Sequence, residues 1–263
     1  MILVLAGTGD GRKLAAGLAA AGFEVLASVA TSFGGELLQT VPGIAVRIGR
    51  LNAAALEELV LEKGVRGILD ATHPFAVEIS RTAWEVAKRC GLPYLRWERG
   101  PTALPSDPLV HCVSGWEEAV ECLAGLGVED VFLAVGVKPL ELFLRHPKLG
   151  RCRFTVRVLP VPESVEACRR LGLGIERIIA MQGPGTVKLN EALLEASGAR
   201  ALVIKDSGAE GGTRVKVDAA LALGIPVVVV RRPLPEPSGE VAASLEDVIR
   251  WAEKAMQAKG GLL

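Results

Sequence analysis

The sequence predicts an α/β protein with two Rossmann-like domains, each a parallel sheet flanked by helices, and a cleft between the domains. Three observations lead to this prediction. Strands, glycine-bearing turns and Ala/Leu-rich helices alternate along the whole chain, half of the 263 residues are hydrophobic, and only 4% are aromatic. A core built from Val, Leu, Ile and Ala is typical of parallel strands covered by helices.

The first half of the chain reads as one mononucleotide-binding unit, residues 1–100. Apolar runs that end in turn formers predict strands, and Ala/Leu-rich segments between them predict helices. The predicted strands are residues 2–6, 24–29, 45–48, 65–70 and 93–97, and the predicted helices are 12–21, 53–62 and 77–90.

Residues 99–108 contain three prolines and no periodicity, which indicates a crossover between domains. The alternation then restarts and predicts a second domain over residues 101–240. Its strands are expected at residues 110–113, 131–134, 154–158, 177–181, 201–204 and 226–230, and its helices at 116–126, 139–144, 164–171, 187–197 and 216–223. The C-terminal segment, 241–263, holds a helix from Leu245 to about Gln257 after the cap candidate Ser244. Its docking is left open.

Composition excludes several classes of partner. Thirty basic residues balance thirty acidic ones, so no global field favours nucleic acid or an anionic membrane. The chain enters a strand at once, and no apolar run approaches the ~20 residues of a membrane helix. We therefore expect a soluble, cytoplasmic protein. Its oligomeric state, a monomer or a small homo-oligomer, is left open by the sequence.

The five cysteines are odd in number, scattered and never spaced as Cys-x-x-Cys. This pattern predicts buried free thiols and no metal site. They are Cys90, Cys112, Cys122, Cys152 and Cys168.

A glycine-rich turn follows the first strand and opens the first helix. Exposed backbone N–H groups at a helix start bind phosphate or pyrophosphate, and glycines let a ligand approach the backbone. The predicted cofactor residues here are Gly7, Thr8, Gly9, Asp10, Gly11 and Arg12. The spacing departs from G-x-G-x-x-G, and a plain turn with Asp10 as the helix cap is the alternative.

The second strand ends without the Asp or Glu that commonly binds the ribose hydroxyls of NAD. Ser28, Thr31 and Ser32 lie there instead, and their hydroxyls are able to donate to a 2′-phosphate. Arg47 or Arg50 would supply positive charge. This favours NADPH over NADH as the cofactor.

A polar and aromatic cluster follows the apolar run at residues 65–69, at the end of a parallel strand where ligands bind. Its sequence is Asp70-Ala71-Thr72-His73-Pro74-Phe75-Ala76. His73 is a candidate proton donor, a candidate donor to a substrate carboxylate, or a loop histidine bonded to nearby backbone, with carboxylate binding slightly favoured. Asp70 either fixes the turn or takes part in catalysis.

The second domain offers a charged, glycine-rich loop after the strand at 201–204. Lys205 at that strand end is able to hold an anionic group, and an ion pair with Asp206 or Glu210 is the alternative. Gln182 follows another strand and suits a hydrogen bond to an amide or a carboxylate. Arg96 and Arg157 lie near strand ends, where surface salt bridges are the alternative explanation.

Together these segments resemble the precorrin-6A reductase family, called cobalt-precorrin-6A reductases in the anaerobic route to cobalamin. The matching stretches occur in the same order along nearly the whole chain: residues 7–12, 70–76, 95–99, 180–184, 205–208 and 224–233. The Asp-Ala-Thr-His-Pro-Phe-Ala and Lys-Asp-Ser-Gly stretches are the most specific. Ala6 departs from a family glycine, and Gly185 stands where a larger residue is common.

The resemblance implies NADPH-dependent reduction of one double bond in the macrocycle of precorrin-6A, or of its cobalt form. Hydride transfer to a ring carbon would accompany protonation of its neighbour, and catalysis would depend mainly on orientation. There are two alternatives. One is another NADPH-dependent two-domain reductase with a smaller substrate, and the other is an NADPH sensor without turnover.

The resemblance also assigns roles to the strand-end residues. His73 is the candidate catalytic residue, and Asp70, Ala71 and Thr72 join the glycine turn and the second strand end in binding the cofactor. The carboxylate-bearing tetrapyrrole substrate is expected to bind His73, Pro74, Phe75, Arg96, Gln182, Gly183, Lys205, Asp206, Ser207, Gly208, Gly211 and Gly212.

Overall fold

A computed structural model describes residues 1–98, 100, 102–233 and 239–257. It contains two six-stranded parallel sheets flanked by helices, which confirms the predicted fold class. The chain divides into two compact units, Met1–Gly100 with Leu234–Leu263, and Pro101–Pro233. Each unit is described below by itself.

The elements follow one another as strand and helix, as the sequence predicts. The first part of the chain contains β1 (Ile2–Leu5), α1 (Gly9–Ala20), β2 (Val25–Val29), α2 (Ser32–Gln39), β3 (Ile44–Ile48), α3 (Ala53–Glu62), β4 (Gly67–Asp70), α4 (Val77–Arg89) and β5 (Tyr94–Trp97). The remainder contains β6 (Val110–Val113), α5 (Trp116–Leu126), β7 (Asp130–Ala134), α6 (Leu140–Arg145), β8 (Arg153–Val158), α7 (Pro162–Arg170), β9 (Ile178–Ala180), α8 (Val187–Ala196), β10 (Ala201–Lys205), α9 (Thr213–Ala222), β11 (Val227–Val230), β12 (Glu240–Ala242) and α10 (Leu245–Gln257).

The first sheet has the strand order β12-β5-β4-β1-β2-β3, which is the Rossmann order 3-2-1-4-5-6 with β12 in the sixth place. The order reverses between β1 and β4, where Leu5 pairs with Asp70. The turn after β1 and the loop after β4 therefore leave the sheet side by side, at its ligand-binding switch point.

The second sheet has the order β6-β11-β10-β7-β8-β9. This is the same strand order as in the first sheet if β7 is taken as the first strand. Strand β6 then occupies the outer position that β12 holds in the first sheet. The order of the second sheet reverses between β7 and β10, where Ala134 pairs with Ile204. The loops after β7 and β10 are therefore neighbours at the second switch point.

Two elements were not predicted from the sequence, α2 and β12. Gly34 and Gly35 weaken the helical pattern of α2, although Thr31 caps it and Gly35 packs directly against Ile48 on β3. Strand β12 has three residues, too few for a periodic pattern, and it exists through its pairing with β5.

The predicted second domain, 101–240, extends too far, because Glu240 already pairs in the first sheet. Helix α10, whose docking was left open, packs into the core of the first unit through Val248, Trp251, Ala252 and Ala255. Residues 99 and 101 of the predicted crossover, and 258–263 of the C-terminal segment, lie outside the described residues.

All five cysteines are free, as predicted, but only Cys168 is buried. The other four are partly exposed, so the prediction that they are buried is wrong for them. In the part of the chain that the structure describes, no helix combines the length and apolar character needed to cross a membrane.

Candidate functional site

Three of the polar segments predicted from the sequence lie at the switch points of the two sheets. In the first unit, the glycine turn follows β1 and the Asp70–Ala76 segment follows β4. In the second unit, the Lys205–Gly212 segment follows β10. This edge of an open parallel sheet is the usual ligand-binding edge, so each unit carries a candidate site.

The glycine turn is capped by Thr8, and the proposed capping role of Asp10 is wrong. The Thr8 hydroxyl accepts a hydrogen bond from the Gly11 N–H at 3.0 Å and donates to the Ala71 carbonyl at 3.0 Å. Asp10 lies in the first turn of α1, where its carboxylate accepts a hydrogen bond from the Trp97 indole at 3.3 Å. Thr8 thus ties the turn after β1 to the loop after β4.

Gly7 and Gly11 serve different purposes. A Cβ at Gly11 would lie 2.6 Å from the Ala6 Cα, so this glycine allows α1 to pack on β1. Gly7 is exposed, and a Cβ there would have no atom within 4 Å. The open space at Gly7, beside the amino terminus of α1, fits a dinucleotide phosphate. Gly9 and Arg12 lie in the same first turn.

Asp70 is the centre of a buried network. It has no exposed surface and accepts hydrogen bonds from the Thr72 N–H at 3.0 Å, the Thr72 hydroxyl at 2.7 Å and the Tyr94 hydroxyl at 2.7 Å. Arg96 forms an ion pair with it at 2.7 Å and also donates to the hydroxyls of Thr72 and Ser80, at 2.9 and 3.0 Å. The network holds the start of the loop after β4.

This network sets the charge states of its members. Burial by itself would raise the pKa of Asp70, but the Arg96 charge and the hydroxyl hydrogen bonds outweigh it, and the pKa lies below its ordinary value of 3.8. Burial and the Asp70 charge raise the pKa of Tyr94. The geometry favours a positioning role for Asp70 and Arg96. The predicted contacts of Asp70 with cofactor and of Arg96 with substrate remain predictions.

His73 and Phe75 form the far part of the same loop. The His73 Nδ1 accepts a hydrogen bond from the Phe75 N–H at 3.2 Å, and the two rings lie 5.7 Å apart. With Nδ1 as acceptor, the proton of a neutral imidazole resides on Nε2. His73 is then suited to donate a hydrogen bond through Nε2, whereas the predicted role as proton donor requires the imidazolium, whose Nδ1 cannot accept from the Phe75 N–H. Pro74, between them, is partly buried.

The residues predicted to recognise a 2′-phosphate lie at the end of β2 and the start of α2. Thr31 caps α2, and both Thr31 and Ser32 are exposed there. Ser28 is buried in β2. Arg47 on β3 pairs in register with Ser28, so the structure brings a guanidinium-bearing residue to this strand end.

In the second unit, Lys205 is the last residue of β10, and its ammonium group lies close to the loop after β7. A Cβ at Gly136, after β7, would be 4.0 Å from its ammonium nitrogen. Burial first, and the Lys138 charge second, lower the pKa of Lys205 to about 8. The loop after β7 was not singled out from the sequence. The signal that could have identified this loop is the repeated strand order, because β7 holds the position in the second sheet that β1 holds in the first.

Asp206 stabilises the loop that follows Lys205. Its carboxylate forms an ion pair with Arg232 at 3.5 Å and accepts hydrogen bonds from the Thr102 hydroxyl at 2.6 Å and the Gly208 N–H at 3.1 Å. These contacts join the loop to the segment before β6 and to the end of β11. Asp206 is therefore well placed to shape the loop.

The glycines of this loop are required by its own packing. A Cβ at Gly211 would overlap Ser207, and one at Gly212 would overlap Pro184. The Ser207 N–H also donates to the Thr213 hydroxyl at 2.9 Å. The structure thus brings the loops after β9 and β10 together, as the prediction for both requires.

Arg157 belongs to this cluster and is not a surface residue. It is 8% exposed, and it donates to the Asn190 side chain at 2.9 Å. A Cβ at Gly183 would lie 3.4 Å from its guanidinium, while Gln182 beside it is exposed. Burial lowers the pKa of Arg157.

Lys216 on α9 was missed from the sequence. It is 5% exposed and lies on the buried face of the helix with Thr213, Val217 and Ala220. A lysine at an apolar position of a helical repeat is the signal that could have identified it.

The Rossmann strand order of the first sheet and the open glycine turn at its switch point are typical of one class of protein, the dinucleotide-dependent enzymes. The model of one family of such enzymes, precorrin-6x reductase CbiJ/CobK, matches residues 1–253. The chain belongs to this family, which confirms the resemblance, and it is an NAD(P)H-dependent oxidoreductase.

The relatives match over nearly their full length. A cobalt-precorrin-6A reductase of Priestia megaterium is 39% identical over 251 residues, covering 95% of this chain and 96% of the relative. A precorrin-6A reductase of Rhodobacter capsulatus is 33% identical over 252 residues, covering 95% and 94%. A solved structure of CobK precorrin-6A reductase has a TM-score of 0.78 at 28% identity, with 97% and 96% covered.

Proposed function

We propose that this reductase uses NADPH to reduce one double bond in the macrocycle of precorrin-6A or cobalt-precorrin-6A, a step of cobalamin biosynthesis. The observation that carries the proposal is the match at 39% identity to a cobalt-precorrin-6A reductase across 95% of this chain. The product is precorrin-6B or its cobalt form.

The first unit supplies the cofactor site in this proposal. The open space at Gly7 and the first turn of α1 hold the pyrophosphate, and Thr31, Ser32 and Arg47 hold the 2′-phosphate. Bound there, the dihydronicotinamide supplies the hydride. Through its hydrogen bonds, Thr8 keeps the turn after β1 and the loop after β4 in fixed register, which orients the ligand.

The substrate is met by donors spread over several loops, because its acetate and propionate arms carry many carboxylates. In the second unit, Lys205, Ser207 and Gln182 are suited to bind them. In the first, His73 donates a hydrogen bond through Nε2 to a carboxylate, and Phe75 offers an apolar contact.

The reaction itself is the first test. Incubation of the protein with NADPH and cobalt-precorrin-6A, and separately with precorrin-6A, is expected to consume NADPH and to shift the macrocycle spectrum for at least one substrate. Denatured protein is the control. Binding of NADPH without its oxidation, with both substrates supplied, would contradict the proposal and favour a sensor.

The preference for NADPH is tested at Arg47. Arg47→Met is expected to weaken NADPH binding by about 10–100-fold, the value of a charged hydrogen bond, and to leave NADH binding nearly unchanged. Arg50→Met is the matched comparison, since Arg50 is exposed and lies beyond the end of β3. Direct titration of both variants decides it. A loss of NADPH affinity in Arg50→Met alone would overturn the assignment to Arg47.

A further inference from the structure

The segment between β4 and α4 contains a β-turn over residues 73–76, which we call the His73 turn. The Ala76 N–H donates to the His73 carbonyl at 2.7 Å, and Pro74 occupies the second position, where its restricted φ suits a turn. Within the turn, the Phe75 N–H donates to the His73 Nδ1. Backbone hydrogen bonds of the turn therefore hold the imidazole against its own main chain.

The hydroxyl of Ser80, near the start of α4, contacts groups on both sides of the His73 turn. It donates to the Ala76 carbonyl at 3.3 Å, where the turn ends, and lies 3.2 Å from the hydroxyl of Thr72, the residue just before the turn. It also accepts a hydrogen bond from the Arg96 guanidinium at 3.0 Å, and Arg96 is itself paired with Asp70. Through Ser80, the buried network around Asp70 extends to the far end of the turn.

Helix α4 begins without a side-chain cap. Its N-cap residue is Ala76, which makes no side-chain hydrogen bond, whereas Thr8, Thr31 and Asn52 cap α1, α2 and α3. A capping side chain normally fixes the direction in which the chain enters a helix. In α4 the Ser80 N–H and hydroxyl both donate to the Ala76 carbonyl, so Ser80 supplies the attachment between turn and helix.

A second His-Pro pair in the chain shows which of these contacts are local. The Nδ1 of His146 accepts from the Lys148 N–H at 3.3 Å, and its carbonyl accepts from the Leu149 N–H at 3.0 Å. These are the same two contacts that the His73 turn makes, so they arise from the His-Pro sequence itself. What distinguishes the His73 turn is the connection through Ser80 to a buried ion pair.

We infer that Ser80 is a positioning residue, which fixes the His73 turn so that the Nε2–H of His73 keeps one direction before the substrate arrives. The inference rests on the proposed function, in which this N–H donates to a carboxylate of the substrate. A donor that is already held in its binding direction loses less conformational entropy on binding, so the affinity for the substrate is higher. Ser80 acts through His73 and does not contact the substrate.

The first measurement is amide hydrogen exchange of the ligand-free protein. Ser80→Ala removes the hydroxyl and leaves the ion pair of the network in place, so the variant is expected to fold. Exchange of the Phe75 and Ala76 amides is expected to accelerate by about tenfold, because the turn opens more often. The Lys148 amide, which makes the corresponding contact with His146, is expected to exchange at the wild-type rate.

Thr82→Ala is the matched control variant. The Thr82 hydroxyl makes the same kind of bond as Ser80, to the Glu78 carbonyl one helical turn earlier at 2.8 Å, but at an exposed position. This variant is expected to keep the wild-type exchange rates at Phe75 and Ala76 and the wild-type affinities.

The second measurement is a double-mutant cycle with His73→Ala, in which cobalt-precorrin-6A and NADPH are titrated separately. Ser80→Ala is expected to weaken binding of cobalt-precorrin-6A by about tenfold and to change NADPH binding by less than about twofold. In the His73→Ala background, the same substitution is expected to change substrate affinity by less than about twofold, because its effect passes through the imidazole. A residue with only a structural role would give equal losses in both backgrounds.

Other outcomes overturn the inference in distinguishable ways. Wild-type exchange at Phe75 in Ser80→Ala would show that the turn does not depend on Ser80. Equal losses of substrate affinity with and without the His73 side chain would assign Ser80 to the general scaffold, while the proposed function would stand. A loss of NADPH binding alone would connect Ser80 to the cofactor through Thr72. Failure of the wild type to bind either tetrapyrrole would reject the proposed function itself, whatever the exchange rates are.

Discussion

Replacement of Asp70 by alanine is expected to lower the free energy of unfolding by about 3–5 kcal/mol, because it leaves the buried Arg96 charge without its partner. The hydroxyl of Tyr94 and the groups of Thr72 lose their acceptor in the same change. Urea unfolding at neutral pH measures this loss.

Tyr94→Phe is the matched control for Asp70→Ala. It removes one hydrogen bond to the carboxylate and leaves the ion pair, so a loss of about 1.5–3 kcal/mol is expected. Equal stability of Asp70→Ala and the wild type would contradict the proposed scaffold role. Full stability with a loss of cofactor binding would instead assign Asp70 to direct cofactor contact.

The stability that the Asp70 network contributes is expected to decrease at acidic pH. The folded pKa of Asp70 is below its ordinary 3.8, so its contribution is fully present above that value and is lost as pH falls through the folded pKa. The Asp70→Asn variant is expected to lack this part of the acid destabilisation. A stability difference between wild type and variant that does not shrink below about pH 4 would contradict it.

The second large effect is a difference in stability between alanine substitutions at two glycines of the turn after β1, Gly7 and Gly11. Gly11→Ala is expected to destabilise the protein by about 1–3 kcal/mol, because its Cβ would lie 2.6 Å from the Ala6 Cα. Gly7→Ala meets nothing within 4 Å, and Gly7 is not among the glycines with positive φ, so stability is expected to stay at the wild-type level.

Dinucleotide binding gives the complementary result. Gly7→Ala is expected to weaken NADPH binding by about tenfold or more, since the new methyl group occupies the space offered to the phosphates. Thermal unfolding without ligand and titration with NADPH distinguish the two variants. Unchanged NADPH affinity in Gly7→Ala would place the pyrophosphate elsewhere.

Local sequence was sufficient for most of the secondary structure and for the location of the candidate sites. Apolar runs ending at Asp70 and Lys205 identified strand ends, and the winding placed those ends at a switch point in each sheet. The exceptions were α2, whose glycines obscure its helical pattern, and β12, which is too short to carry one. Helix α2 packs on β3, the next element along the chain, whereas β12 depends on its pairing with β5, which is distant in the sequence.

What each polar side chain does at a strand end was decided by the tertiary structure. The carboxylate of Asp70 is occupied by Arg96 and Tyr94 from the neighbouring strand, and Asp206 is occupied by Arg232 and Thr102. The sequence alone left each of these residues open between ligand binding and structural support, because pairing between distant residues leaves no local pattern.

The sequence by itself therefore determined the family, the two parallel sheets and the loops that carry the chemistry. Only the tertiary structure decided which groups in those loops are already engaged within the protein and which cations, such as Arg157 and Lys216, are buried. The physical reason is that periodicity and turn chemistry are local properties, whereas burial and charge pairing depend on which helices and strands pack together.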